Sequence, residues 1–132
     1  LRQASDGNLY GTTGSGGAQG LGTLFRFHPS TGAVVIHSFA GAPNDGSAPS
    51  SRLRVGNDDH LYGVTYFGGA FDYGTFFRLT LAGDYRVLYS FSGGAGGQSP
   101  SSSLLTGNDG YFYGTTVTGG PTNNGTIYKI HP

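Results

Sequence analysis

The sequence contains no cysteine, no methionine and no tryptophan. Without cysteine there is no disulfide and no thiolate chemistry, a composition compatible with a secreted bacterial protein. All seven acidic residues are aspartate, glutamate is absent, and Lys129 is the one lysine. The strongest helix formers are therefore almost missing. No apolar run approaches the ~20 residues of a membrane-spanning helix, and the strand-like runs fall short of the ~9–11 residues of an outer-membrane barrel strand. Membrane insertion is not expected. Charge of one sign is lacking too, since seven basic residues balance seven acids. The basic residues Arg2, Arg26, Arg52, Arg54, Arg78, Arg86 and Lys129 are scattered, whereas a nucleic-acid binder presents a basic face. No nucleic-acid partner is expected.

Catalytic motifs are missing as well. There is no G-x-S-x-G elbow, no H-E-x-x-H, no phosphate-binding loop and no dinucleotide fingerprint. Glycoside hydrolysis needs two neighbouring carboxyls, and only turn aspartates are on offer. We expect no enzyme and no cofactor, short of a site shared between chains.

What the sequence does hold is glycine, 26 residues in 132, beside nine tyrosines and nine phenylalanines. Glycine at that level suits a disordered linker, but 18 aromatic rings do not. Thr, Tyr, Phe and Val punctuated by Gly indicate an all-β chain. Leu1 is not an initiator methionine and no signal segment is seen. The chain reads as a mature product, an excised piece or the ordered part of something longer.

Internal repetition is the strongest signal. The run DGNLYGTT at 6–13 returns as DDHLYGVT at 58–65 and DGYFYGTT at 109–116. GTLFRF at 22–27 returns as GTFFRL at 74–79 and GTIYKI at 125–130, and VVIHSF at 34–39 as RVLYSF at 86–91. Gly11, Gly63 and Gly114 are spaced by 52 and 51 residues. A shorter loop at 93–100, against 41–49, accounts for the difference. Four glycine positions, Gly11, Gly16, Gly17 and Gly22, recur in every period as turn and hairpin positions. The periods are 1–52, 53–103 and a partial 104–132.

Each full period contains four strand-like runs. They are Leu1–Ala4, Leu9–Thr13, Thr23–His28 and Ala33–Phe39, then Leu53–Val55, Leu61–Tyr66, Thr75–Thr80 and Tyr85–Phe91. Leu104–Thr106, Phe112–Val117 and Thr126–Ile130 follow, making eleven. Four short antiparallel strands per ~40–50 residues is the size of a β-propeller blade. The GTLFRF-type strands carry large apolar residues on both faces, as a sheet packed between two other sheets requires. A β-solenoid is the runner-up, but its coils are shorter and its strands parallel.

The sequence DGNLYGTT, a GG loop, GTLFRF, HPSTG and HSF together resemble the bacterial tandem repeat often called GloVer, over essentially the whole chain. Leu81-Ala82-Gly83 and Gly96-Gly97-Gln98 depart locally from its pattern. The resemblance implies a surface-anchored, extracellular bacterial β-repeat, and it brings no catalytic residues.

Eleven strands are one short of three four-stranded blades, and three blades cannot close a ring that needs about four to eight. An unpaired edge with an apolar face must be covered. We therefore expect self-association, as a closed homo-oligomer or, where the rotation does not close, a fibre-like array.

Candidate contacts are few. Tyr10, Tyr62 and Tyr113 precede a glycine in every period; packing between blades with a locally bonded hydroxyl is preferred over stacking on a sugar ring. Arg26, Arg78 and Lys129 share one repeat position, where stems covering apolar surface are preferred over a ring of charge. Asp6, Asp45, Asp58, Asp59 and Asp109 read as turn residues, and no D-x-D-x-D-G calcium loop is present, so no metal site is expected. His37 aligns with Tyr89 and reads as a space-filler in a strand. The GG hairpins diverge most between periods, which is where a binding surface is built on a fixed scaffold. Phe71, Asp72 and Tyr73 are the leading candidates for an exposed contact. The expected function is a non-enzymatic extracellular or cell-surface module, structural or adhesive, that associates by completing blades across chains; the alternative is a lectin-like, glycan-binding propeller closed by oligomerisation.

Overall fold

The computed structural model describes residues 1–132, and the chain is all-β, built from antiparallel sheets that follow the repeat. In the first sheet β1 (Arg2–Gln3), β2 (Leu9–Thr13), β3 (Thr23–His28) and β4 (Gly32–Ser38) lie side by side in chain order. The second contains β5 (Gly46–Pro49), β6 (Arg54–Val55), β7 (Leu61–Gly68), β8 (Thr75–Leu79) and β9 (Tyr85–Ser90). Here β5 and β6 pair with opposite ends of β7, so together they act as one broken strand. The third sheet repeats this plan with β10 (Gln98–Pro100) and β11 (Leu105–Thr106) on β12 (Phe112–Thr118), then β13 (Ile127–Ile130). β13 pairs with β12.

All eleven expected runs form strands. The two additions, β5 and β10, escape a reading by alternation because they consist of Gly, Ser, Ala, Pro and Gln. Each holds a residue at positive φ, Ala48 at 49° and Ser99 at 56°. Each also donates a backbone hydrogen bond to the hairpin loop of the preceding sheet, Ala48 to Leu21 at 2.9 Å and Ser99 to Tyr73 at 2.8 Å. The second sheet thus begins at Gly46, ahead of the period boundary at 52.

Register explains how one motif serves three sheets. Tyr10 faces Arg26, Tyr62 faces Arg78 and Tyr113 faces Lys129 across the central strand pair. The glycine after each tyrosine lies opposite an aromatic ring: Gly11 opposite Phe25, Gly63 opposite Phe77, Gly114 opposite Tyr128. A Cβ on Gly63 would lie 2.5 Å from Phe77 Cζ, and one on Gly11 would lie 2.7 Å from Phe25 Cζ. The conserved-in-repeat glycine is therefore the hole into which the next strand's ring folds. Beyond it a threonine pair closes the hairpin, with Oγ1–Oγ1 separations of 2.8 Å for Thr13–Thr23, 2.8 Å for Thr65–Thr75 and 2.9 Å for Thr116–Thr126.

The core lies between sheets. Tyr10 and Leu24 of the first sheet pack with Leu53, Leu61, Phe77 and Leu79 of the second, around Phe39. Tyr62, Val64 and Phe76, on the other face of the second sheet, pack with Leu104 and Phe112 of the third, around Phe91. The middle sheet buries both faces, as its double apolar pattern requires. Each such fully buried side chain is worth about 1.5–3 kcal/mol of transfer free energy.

Candidate functional site

The repeated tyrosines are anchors within the fold. Tyr10 and Tyr62 are buried, and their hydroxyls donate to Asp6 at 2.8 Å and Asp58 at 2.7 Å; Tyr113 donates to Asp109 at 2.6 Å. The other oxygen of each aspartate accepts the backbone N–H two residues on, an Asx turn. Burial pushes the Tyr10 phenol up, helped by Asp6, to about 12. Burial also works against the Asp58 carboxylate, but hydrogen bonds from Tyr62 and His60 outweigh it and hold the group below the ordinary aspartate range. Tyr10 and Tyr62 are 0% and 1% exposed.

Phe71 and Tyr73 stand at the surface, 57% and 40% exposed. Asp72 between them has φ 59° and accepts from the Gly68 N–H at 2.8 Å, so it shapes the hairpin. Asn123 repeats that bond to Gly119 at 2.9 Å. Arg78 reaches Asp84 at 3.7 Å, whereas Lys129 lies 4.5 Å above the Tyr111 ring.

Sequence reasoning missed one cluster. Asp45 is buried and joins the first two sheets: it accepts from His37 Nε2 at 2.8 Å, the Tyr85 hydroxyl at 2.7 Å, the Ala40 N–H at 2.8 Å and the Gly46 N–H at 2.7 Å. The His37 and Tyr85 rings stack at 3.8 Å. The signal was present in the repeat: where His37 becomes Tyr89, the shortened loop also has no aspartate.

The second and third sheets leave a polar groove of about 320 Å³ between their turns, lined by Asp58, Tyr62, Arg78, Thr106, Phe112 and His131 among others. Its origin is legible in the repeat. Between the first two sheets Ser5 donates to Asp59 and closes the same region. In the next interface the positions corresponding to that pair are Asn57 and Gly110, and the groove stays open. Arg78 Nε is buried there without a partner.

The two outer sheet faces carry exposed apolar residues. By alternation, Phe25 and Val35 lie on the side of the first sheet away from the second, since Leu24 and Ile36 pack toward it. Leu1 and Val35 are 72% and 55% exposed. At the other end, Tyr128 and Ile130 pack inward and Ile127 faces out, 83% exposed, on the side of Tyr113 and Lys129. Phe25 is the repeat counterpart of buried Phe77, and Ile127 of buried Phe76. The open ends are thus the two halves of an interface the chain already uses twice.

No curated protein matches the chain in sequence. The repeat grammar that builds these faces is, however, that of a described family: the model of the Gloeobacter/Verrucomicrobia repeat matches residues 1–132, and the chain belongs to that family.

Proposed function

We propose that this chain is a non-enzymatic structural or adhesive module that works by self-association, blade upon blade. The observation that carries this reading is the pair of outer faces. The face with Leu1, Phe25 and Val35 corresponds to the one that packs against Tyr10 and Leu24 inside the chain. The face with Tyr113 and Ile127 corresponds to the one formed by Tyr62 and Phe76. A second copy docking head to tail buries both halves in the register already used internally. Such a contact is heterologous, so it gives a ring if the rotation closes and a filament if it does not. The extracellular or cell-surface setting belongs to this proposal and rests on the resemblance to surface-anchored repeat proteins.

Sedimentation velocity tests it. The native chain is expected to exceed its 13.6 kDa monomer mass as concentration rises. Ile127→Lys, which places a charge in the contact centre, is expected to hold it at the monomer. A native chain that stays monomeric to millimolar concentration would defeat the reading.

The polar groove by Arg78 favours a second reading, a lectin-like module. Its polar lining suits a sugar or another small polar ligand. Glycan-array binding that disappears in Arg78→Ala or Phe71→Ala/Tyr73→Ala chains, with assembly intact, would favour it over the structural role.

A further inference from the structure

The seven basic residues, scattered along the sequence, divide into two groups in space. Arg78 and Arg86 reach Asp84 at 3.7 and 3.2 Å, and Lys129 lies over the Tyr111 ring. Arg26 stands opposite Tyr10, whose hydroxyl holds Asp6. Arg2, Arg52 and Arg54 make no ion pair. These same three border one cavity of about 240 Å³, together with Ser103 and the buried Leu53 and Leu104. No acidic residue lines it. The seven aspartates are all engaged elsewhere. Asp6, Asp58 and Asp109 hold the repeat tyrosines, Asp59 accepts from Ser5, and Asp45 from His37 and Tyr85. Asp72 closes its own hairpin, and Asp84 takes the two arginines above.

The repeat puts them there. Arg2 in β1 faces Tyr10 and Arg54 in β6 faces Tyr62, so the two hold one position in neighbouring sheets. Arg52 lies two residues ahead of Arg54 and lines the same cavity. The third repeat breaks the pattern, with Leu105 at the Arg54 position, Ser103 at that of Arg52 and Thr106 at that of Val55. Thr106 accepts from Arg54 Nε at 3.1 Å, which orients that guanidinium and leaves its outer nitrogens for another partner. Three cations without a counter-charge repel one another, a cost that a bound anion removes. We propose that this cavity is an oxyanion site that takes a phosphate or sulfate group. One guanidinium fork satisfies both oxygens of a carboxylate. Three arginines and the Ser103 hydroxyl around one cavity call for more acceptor oxygens and a second negative charge. The apolar floor of Leu53 and Leu104 strengthens the attraction by lowering the local dielectric. One such cavity is not the extended basic face of a nucleic-acid binder.

None of the three arginines lines the Arg78 groove or carries the assembly contact, so this site stands or falls apart from both readings above. The test is calorimetric titration of sodium sulfate and sodium phosphate into the full chain at fixed ionic strength. Its amino terminus is acetylated, so that Leu1 adds no charge beside the cavity. Saturable binding of one ion per chain is expected. Arg52→Gln and Arg54→Gln are each expected to weaken it about tenfold or more. Arg52 is exposed, so its replacement leaves the fold intact. Arg86→Gln, at an exposed arginine paired with Asp84, is expected to leave the affinity unchanged. Dextran sulfate tells a free ion from a group carried on a polysaccharide. Binding tighter than that of sulfate ion, and lost in an Arg2→Gln/Arg52→Gln/Arg54→Gln chain, places the group on a polymer; equal affinity per sulfate marks the free ion. No saturable binding, equal binding of acetate or chloride, equal weakening by Arg86→Gln, or dextran sulfate binding that survives the triple change would overturn the proposal.

Discussion

Phe77→Ala is expected to destabilise the chain by about 3–5 kcal/mol, the range for emptying a buried aromatic site. Phe77 has no exposed surface and sits over Gly63, against Phe39, Tyr85 and the first sheet. Its neighbours are tied into two ladders and cannot collapse into the space. Domains of this size are stable by only ~5–15 kcal/mol, so much of the stability goes. Phe25→Ala, the same change one repeat earlier, is expected to cost only ~1 kcal/mol at low concentration, because Phe25 lies half-buried on an outer face. Urea unfolding of both variants gives the comparison. Equal losses would mean that neighbouring sheets do not create the core, against the architecture described above.

Asp45→Ala is the second large effect, on the order of 3 kcal/mol. It strands three donors from two sheets, the Tyr85 hydroxyl and the Ala40 and Gly46 N–H groups, each costing ~1–3 kcal/mol when buried without a partner. It also removes the hydrogen-bond partner of His37 Nε2. The pH dependence follows from the same contacts. Burial works against the Asp45 carboxylate, but hydrogen bonds from His37, Tyr85 and Ala40 outweigh it and hold the pKa below the ordinary aspartate value. Because the folded value is the lower one, the stabilisation is complete above about pH 4 and is lost as pH falls through the folded pKa. Asp45→Asn cannot titrate there, so its stability is expected to fall less steeply in acid than that of the native chain. Some slope persists, since Asp6, Asp58 and Asp109 are held low by similar hydrogen bonds. Thermal melts between pH 2 and 6 measure the difference; parallel profiles would remove Asp45 from its place as an inter-sheet clamp.

Much of this fold is legible in the sequence because the same solution is written three times. One LYG-type run fixes a strand, a tyrosine bonded to a turn aspartate and a hole for a ring; read once it is ambiguous, but repeated at spacings of 52 and 51 residues it is a register. The parts that escaped are those whose structure comes from partners and not from local pattern. β5 and β10 have no apolar alternation and are strands only because β7 and β12 lie beside them. Asp45 looks like any turn aspartate, and what sets it apart is the Tyr85 hydroxyl 40 positions away. The same limit governs the polar groove, which arises from a closing contact, Ser5 to Asp59, that the next interface lacks. Phe71 and Tyr73 were visible as variable aromatics on a fixed hairpin, and they do stand in solvent. Exposure gives them access without naming a ligand.

The head-to-tail claim is tested most directly by mixing two chains blocked at opposite ends, Val35→Lys on the first outer face and Ile127→Lys on the last, and measuring mass by light scattering. Each variant alone keeps one intact face and no complement for it, so each is expected to remain a monomer. Together they are expected to form a 1:1 dimer and nothing larger, because one good junction remains. Either variant associating alone, or no dimer on mixing where the native chain assembles, would contradict the account.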